Sequence, residues 1–175
     1  MDQQSLPDVR IETPDHIADP GALSDILYEY LTSASDALTA AGGPEFDIAH
    51  QVALTVENAD RYLPPRGYTF LAYGGAGDLV GVACLKMIRP DVAEVKRLYV
   101  RPATRGTGLG RELMDRVVVQ ARALGAAALY LDTVKTMTAA IRMYDTMGFR
   151  PIARYPESEN PRDVWPFAVY LALDL

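Results

Sequence analysis

The chain has one cysteine, two histidines and one tryptophan in 175 residues, and these scarcities set the first limits. Cys84 has no partner for an internal disulfide, and His16 and His50 lie too far apart in sequence for a metal-ligand spacing. No run approaches the roughly 18 uninterrupted apolar residues of a membrane-spanning helix, so no membrane partner is expected. The opening Met1-Asp-Gln-Gln-Ser-Leu-Pro-Asp8 has neither the basic nor the apolar stretch of a leader, so a cytoplasmic protein is expected. Nucleic acid is disfavoured by a net charge of −6 with no basic arm to offset it.

That charge is unevenly spread. Residues 1–60 hold twelve Asp/Glu and one Arg, whereas residues 61–175 hold eleven acids and sixteen Lys/Arg. A basic later part suits a polyanionic cofactor, and an acidic early part suits a cationic second substrate. Ordinary solvated surface charge produces the same count, so side-chain direction has to decide.

The densest signal is Arg105-Gly106-Thr107-Gly108-Leu109-Gly110, between a predicted strand at 94–100 and an amphipathic helix marked by Leu109, Leu113, Val117, Ala121 and Leu124. Backbone with so few side chains can aim N–H groups at phosphate oxygens, and the helix start adds unpaired donors and a positive dipole end. A pyrophosphate is the expected ligand. ATP or GTP is not expected, because Arg111-Glu112 stands where a phosphate-binding Walker loop needs Lys-Ser/Thr. Nor does the position fit a dinucleotide fingerprint, which opens a chain's first strand-helix unit.

Elsewhere the pattern predicts a short strand at 9–13 and a helix from Asp19-Pro20-Gly21 to Gly42-Gly43-Pro44. A weaker helix follows at 46–62, then a hairpin of strands 68–73 and 79–88 about Gly74–Asp78. After the glycine loop come a helix stopped by Gly125, a strand at 127–134 parallel to 93–100, a helix at 138–147, and strands at 151–155 and 164–173.

Glu94-Val-Lys-Arg-Leu-Tyr-Val-Arg-Pro-Ala-Thr-Arg-Gly-Thr-Gly-Leu-Gly-Arg-Glu-Leu113 resembles the core motif of GNAT superfamily N-acetyltransferases. Ala140-Ile-Arg-Met-Tyr-Asp-Thr-Met-Gly-Phe149 is similar to their second motif, and the likeness covers about residues 68–155. The resemblance implies an α/β fold: a mixed, mostly antiparallel sheet with helices on both faces and two splayed parallel central strands. It implies one domain over 1–175, with 1–67 a mainly helical acceptor-side segment and 68–175 the cofactor-binding core. It also implies acetyl-CoA as cosubstrate and acetyl transfer to a primary amine of a small molecule, amino acid or peptide by direct attack. A homodimer is compatible with the sequence, which specifies none.

By the same resemblance Arg105, Gly106, Thr107, Gly108, Leu109, Gly110 and Arg111 hold the pyrophosphate, and the backbone of Leu98, Tyr99 and Val100 meets the pantetheine arm and the acetyl carbonyl. A lysine-like ammonium is almost wholly protonated at pH 7 and cannot attack a thioester, so a base is needed. Glu94 occupies the position where several family members carry one; otherwise it is a strand-surface partner of Lys96 or Arg97. Strict alternation would put Lys96, Leu98 and Val100 on its face, so a bulge is expected to re-aim one of them. Tyr144 matches the tyrosine that protonates the departing thiolate, although its helical stripe also suits a packing role.

The sequence departs from the family at Met137, where many members have a pantetheine-binding Asn. Thr136 and Thr138 are the candidates to compensate. Cys84 reads as a small core residue rather than an acyl carrier, and Trp165 with 156–161 reads as an acceptor mouth or a packed turn. The rivals from other classes are a non-catalytic acyl-CoA sensor and an interaction module.

Overall fold

The computed structural model describes residues 8–175; residues 1–7, most of the stretch read for a leader, lie outside them. Among the described residues seven strands, β1 (Arg10–Glu12), β2 (Gly67–Tyr73), β3 (Leu79–Arg89), β4 (Val92–Val100), β5 (Ala128–Val134), β6 (Arg150–Pro151) and β7 (Ala168–Asp174), form one sheet in the order β1-β2-β3-β4-β5-β7-β6. All neighbours are antiparallel except the central pair β4–β5. The helices are α1 (Pro20–Ala40), α2 (Ile48–Glu57), α3 (Leu109–Ala123) and α4 (Thr138–Thr146). None is long and apolar enough to cross a membrane.

Helices cover both faces, as expected. Leu113, Met114, Val117, Tyr144 and Phe149 pack on one, against Ala83, Leu85, Val95 and Leu129. Leu23, Ile26, Leu27 and Leu31 of α1 pack on the other, against Val82, Cys84 and Tyr99. Where α1 starts, Asp19 accepts a hydrogen bond from the Ala22 amide at 2.9 Å, with Pro20 in the first turn. Asp19→Ala should therefore cost about 1 kcal/mol and lower the melting temperature by about 2–4 °C; an unchanged melting curve would show that water caps this end equally well.

Two boundaries differ from the sequence reading. The predicted helix 46–62 breaks at Asn58, whose side-chain amide donates to the Leu54 carbonyl at 2.7 Å; a 3-10 turn, Ala59–Tyr62, follows. The predicted strand 164–173 becomes β7, which starts only at Ala168 because the chain makes a 3-10 turn, Trp165–Phe167, around Pro166, which has no N–H to give a ladder; the predicted strand 151–155 shrinks to β6, which ends at Pro151.

The expected bulge is present. Val82 faces Tyr99 and Cys84 faces Lys96, so Arg97 and Leu98 together stand opposite Ala83 alone. Arg97 has φ 57°, the one positive value at a non-glycine among the described residues. Before the bulge Glu94 and Lys96 face the α1 side; beyond it Leu98 and Val100 turn to the α3 side while Tyr99 takes the α1 side.

Candidate active site

The parallel pairing of β4 and β5 stops at Glu94 and Tyr130, although both strands continue, to Val100 and Val134. Past that point the edge of β4 facing β5 has no strand partner. A cavity of roughly 300 Å³ occupies the split. Its wall takes Tyr30, Leu31 and Gln51 from α1 and α2, and Met137, Ala140 and Tyr144 from the opposite face of the sheet, so it passes through the sheet rather than lying on it. Its charged residues are Glu45, Lys96, Arg97, Asp132, Glu159 and Asp163, with Leu98 beside them.

The glycine loop leads into α3 beside this split. Among the described residues, the amides of Gly106, Thr107, Gly108, Leu109, Gly110 and Arg111 donate to no backbone or side-chain acceptor; the next amide, of Glu112, opens the helix by bonding Gly108. Six consecutive free donors at a helix mouth make an anion cradle. Gly106 (φ 79°) and Gly108 (φ 91°) supply the left-handed turns that expose them, and a Cβ at either would meet open space.

The side chains of this loop serve the loop itself. Arg105 Nε donates to the Val100 carbonyl at 2.9 Å with its guanidinium 5.4 Å from the Tyr99 ring, and the Thr107 hydroxyl donates to Thr104. Leu109 is buried in the core, and Arg111 pairs with Asp115. What Arg105 to Arg111 present to a ligand is therefore mainly backbone.

Tyr144 is buried, rests against Phe149 at 5.5 Å between ring centres, and reaches the cavity with its hydroxyl unbonded to any described residue. Burial, then the nearby Tyr30 and Asp132, pushes its phenol above the ordinary value of about 10. Met137 also lines the cavity. Thr136 cannot stand in for the missing Asn with its proton, which goes to the Ala37 carbonyl of α1 at 2.7 Å; Thr138 is the first residue of α4, whose N-cap position is held by Met137.

Glu94 is not on the cavity wall. It is wholly buried, with Oε1 accepting from Tyr155 at 2.6 Å and lying 3.1 Å from Lys96 Nζ, while Oε2 faces Lys86 Nζ at 3.3 Å without a hydrogen-bonding angle. The wall carboxylate bonded to this group is Asp132, 3.0 Å from Lys96 Nζ and hydrogen-bonded by Tyr155 at 3.3 Å and Ser158 at 3.2 Å. Tyr155 therefore bridges the two acids. Burial, then Asp132 and Glu94, pushes its phenol up as well.

Sequence reading reached Ser158 and Glu159 only as part of the 156–161 loop, of which Glu159, Asn160 and Pro161 line the cavity while Trp165 does not, and it singled out neither Tyr155 nor the site role of Asp132. Asp132 comes from β5, whereas Tyr155, Ser158 and Glu159 come from the 152–164 connection, which Arg89–Glu157, Lys86–Glu159 and the Trp165 indole bonded to the Asn160 carbonyl hold against the sheet. Cys84 is a core residue on β3, off the cavity wall, its thiol pushed up to about 11 by burial.

A split parallel pair, a run of free amides at one helix mouth and a cavity through the sheet have the shape and polarity that an extended ligand with an anionic group at one end would fit. Residues 31–149 match the profile of the Acetyltransferase (GNAT) family. An uncharacterized N-acetyltransferase of Schizosaccharomyces pombe is 33% identical over 131 residues, 70% of this chain and 77% of that protein. A GNAT acetyltransferase structure from Staphylococcus aureus Mu50 superposes with a TM-score of 0.72 at 20% identity, covering 95% of this chain and 99% of the other. YncA of Salmonella typhimurium, solved with acetyl-CoA, superposes at 0.64 with 21% identity over 94% of each chain. The chain belongs to the GNAT family of acetyltransferases, whose cosubstrate is acetyl-CoA.

Proposed function

We propose that this protein transfers the acetyl group of acetyl-CoA to a primary amine of a small molecule, amino acid or peptide by direct attack. The observation that carries the reading is the run of six free amides, Gly106 to Arg111, beside a cavity that crosses the sheet where β4 and β5 part. Acetyl-CoA supplies the activated acyl group. The amides hold its diphosphate, and the unpaired edge of β4 around Leu98, Tyr99 and Val100 orients the arm and polarises the carbonyl. Tyr144 points its proton at the departing sulfur. Asp132 takes up the proton of the ammonium, and Tyr155 links it to Glu94, which acts through this relay rather than by touching the amine. Cys84, away from the cavity and with a raised pKa, supports direct attack over a covalent acyl carrier. Helices α1 and α2 form the acceptor side.

Release of free thiol from acetyl-CoA across a panel of amines tests the reaction; acetyl-CoA binding with no thiol release from any amine would leave a non-catalytic sensor. The cradle has its own test. Gly108→Val places a β-branched residue at φ 91°, where only glycine rests without strain of about 1–3 kcal/mol. Affinity for acetyl-CoA by calorimetry should fall about tenfold or more, equivalent to at least ~1.4 kcal/mol. An unchanged dissociation constant would remove the loop from the binding site.

A further inference from the structure

Arg97 is the cation that the mechanism above leaves unused. It stands on the cavity wall, carried there by the bulge and its strained φ of 57°. A conformation of that kind costs energy and persists where surrounding structure enforces it. Among the described residues its one side-chain bond runs from Nη2 to the Thr55 hydroxyl at 3.1 Å. Its Nε is buried without a hydrogen-bond partner, and no carboxylate lies within 4 Å of it among the described residues. A guanidinium has five N–H donors in a planar fork that matches a carboxylate, and leaving a buried donor unmet is costly. The other wall cation, Lys96, is committed to Glu94 and Asp132.

Charge around Arg97 narrows what it can hold. Four carboxylates share the cavity with the two cations: Glu45, Asp132, Glu159 and Asp163. Such a wall repels a dianionic phosphate, whereas a monoanion that brings its own ammonium enters with no net charge. Resting on the acetyl-transfer reading, we infer that the acceptor is an amino carboxylate, a free amino acid or a close analogue, whose carboxylate is gripped by Arg97 and whose amine faces the wall acids.

The test compares matched acceptors: the twenty protein α-amino acids, their carboxamides and the corresponding amines without the carboxyl group, each with acetyl-CoA and thiol release as the signal. For the best amino acid, kcat/KM should exceed that of its carboxamide by about 10- to 100-fold, the range of a hydrogen bond to a charged group. Arg97→Lys should shrink that gap and Arg97→Gln erase it, chiefly through KM, with acetyl-CoA affinity unchanged. The comparison within the unsubstituted protein requires no variant to fold.

Equal kcat/KM for acids and carboxamides would overturn the inference while acetyl transfer stands. Loss of acetyl-CoA affinity in Arg97→Gln would assign the guanidinium to the cosubstrate and overturn it too. Should no amine release thiol, thermal stabilisation by the same acids and carboxamides with CoA present decides. Carboxylate-dependent stabilisation that Arg97→Gln abolishes keeps the site and retires the transferase reading; no such dependence retires the site.

Discussion

Replacing Tyr144 by phenylalanine is expected to lower kcat for acetyl transfer by about 10- to 100-fold while acetyl-CoA affinity and thermal stability hold. The size follows from acidity. A free thiol has a pKa near 8.5 and a phenol near 10, and burial raises the Tyr144 phenol further. Complete proton transfer to the departing sulfur is therefore uphill. What remains is a hydrogen bond to a developing thiolate, and such bonds are worth about 1.5–3 kcal/mol, which sets the rate factor. Stability should change little, because the hydroxyl bonds no described residue and phenylalanine keeps the ring on Phe149.

The sign of the pH dependence is fixed by the same shift. A phenol with raised pKa keeps its donor form at every lower pH, so any loss of rate from Tyr144 ionising lies above pH ~10 and not in the neutral range. Rate profiles of the native and Tyr144→Phe proteins from pH 6 to 9 should run parallel. An unchanged kcat in the variant would leave Tyr144 with packing alone.

How much of this site could be read from the chain depends on how local each part is. The cradle was legible because its glycines, its strand and its helix are neighbours in sequence, and neighbouring residues set the φ angles and free the amides. The bulge was legible as a conflict: strict alternation would have put Leu98 and Val100 on the face of Glu94, and the chain resolves it at Arg97. The relay was not legible. Glu94 and Lys96 come from β4, Lys86 from β3, Asp132 from β5 and Tyr155 from the 152–164 connection, and only the sheet's register brings them together. A charged residue in a strand reads as a surface residue until its partners are known, which is why the burial of Glu94 and Lys96 escaped the pattern. Arg97 escaped for a related reason. Sequence neighbours offered Glu94 as its partner, and the bulge carries its side chain to Thr55 and the cavity instead.

The relay yields the second large effect. Glu94→Ala should destabilise the protein by about 3 kcal/mol, the lower end of the cost of stripping one partner from a buried ion pair, or about 6–12 °C in melting temperature for a chain of this size. The lower end applies because neither ammonium is left alone: Lys96 keeps Asp132 at 3.0 Å and Lys86 keeps Glu159 at 2.8 Å. Burial alone would push the Lys96 ammonium down, and the two carboxylates Asp132 and Glu94 more than reverse it; the substitution removes one of them. Glu94→Gln retains an oxygen for the Tyr155 hydroxyl and should cost roughly half as much, within the range of a single charged hydrogen bond. That milder variant separates the roles of Glu94. If the carboxylate receives the proton that Asp132 and Tyr155 hand on, Glu94→Gln loses turnover at pH 7 out of proportion to its melting shift. Much of that loss should return by pH 9, where a larger share of the amine is already deprotonated. A loss that is equal at both pH values, or that merely tracks the melting temperature, would reduce Glu94 to an internal counter-ion and end the relay at Asp132.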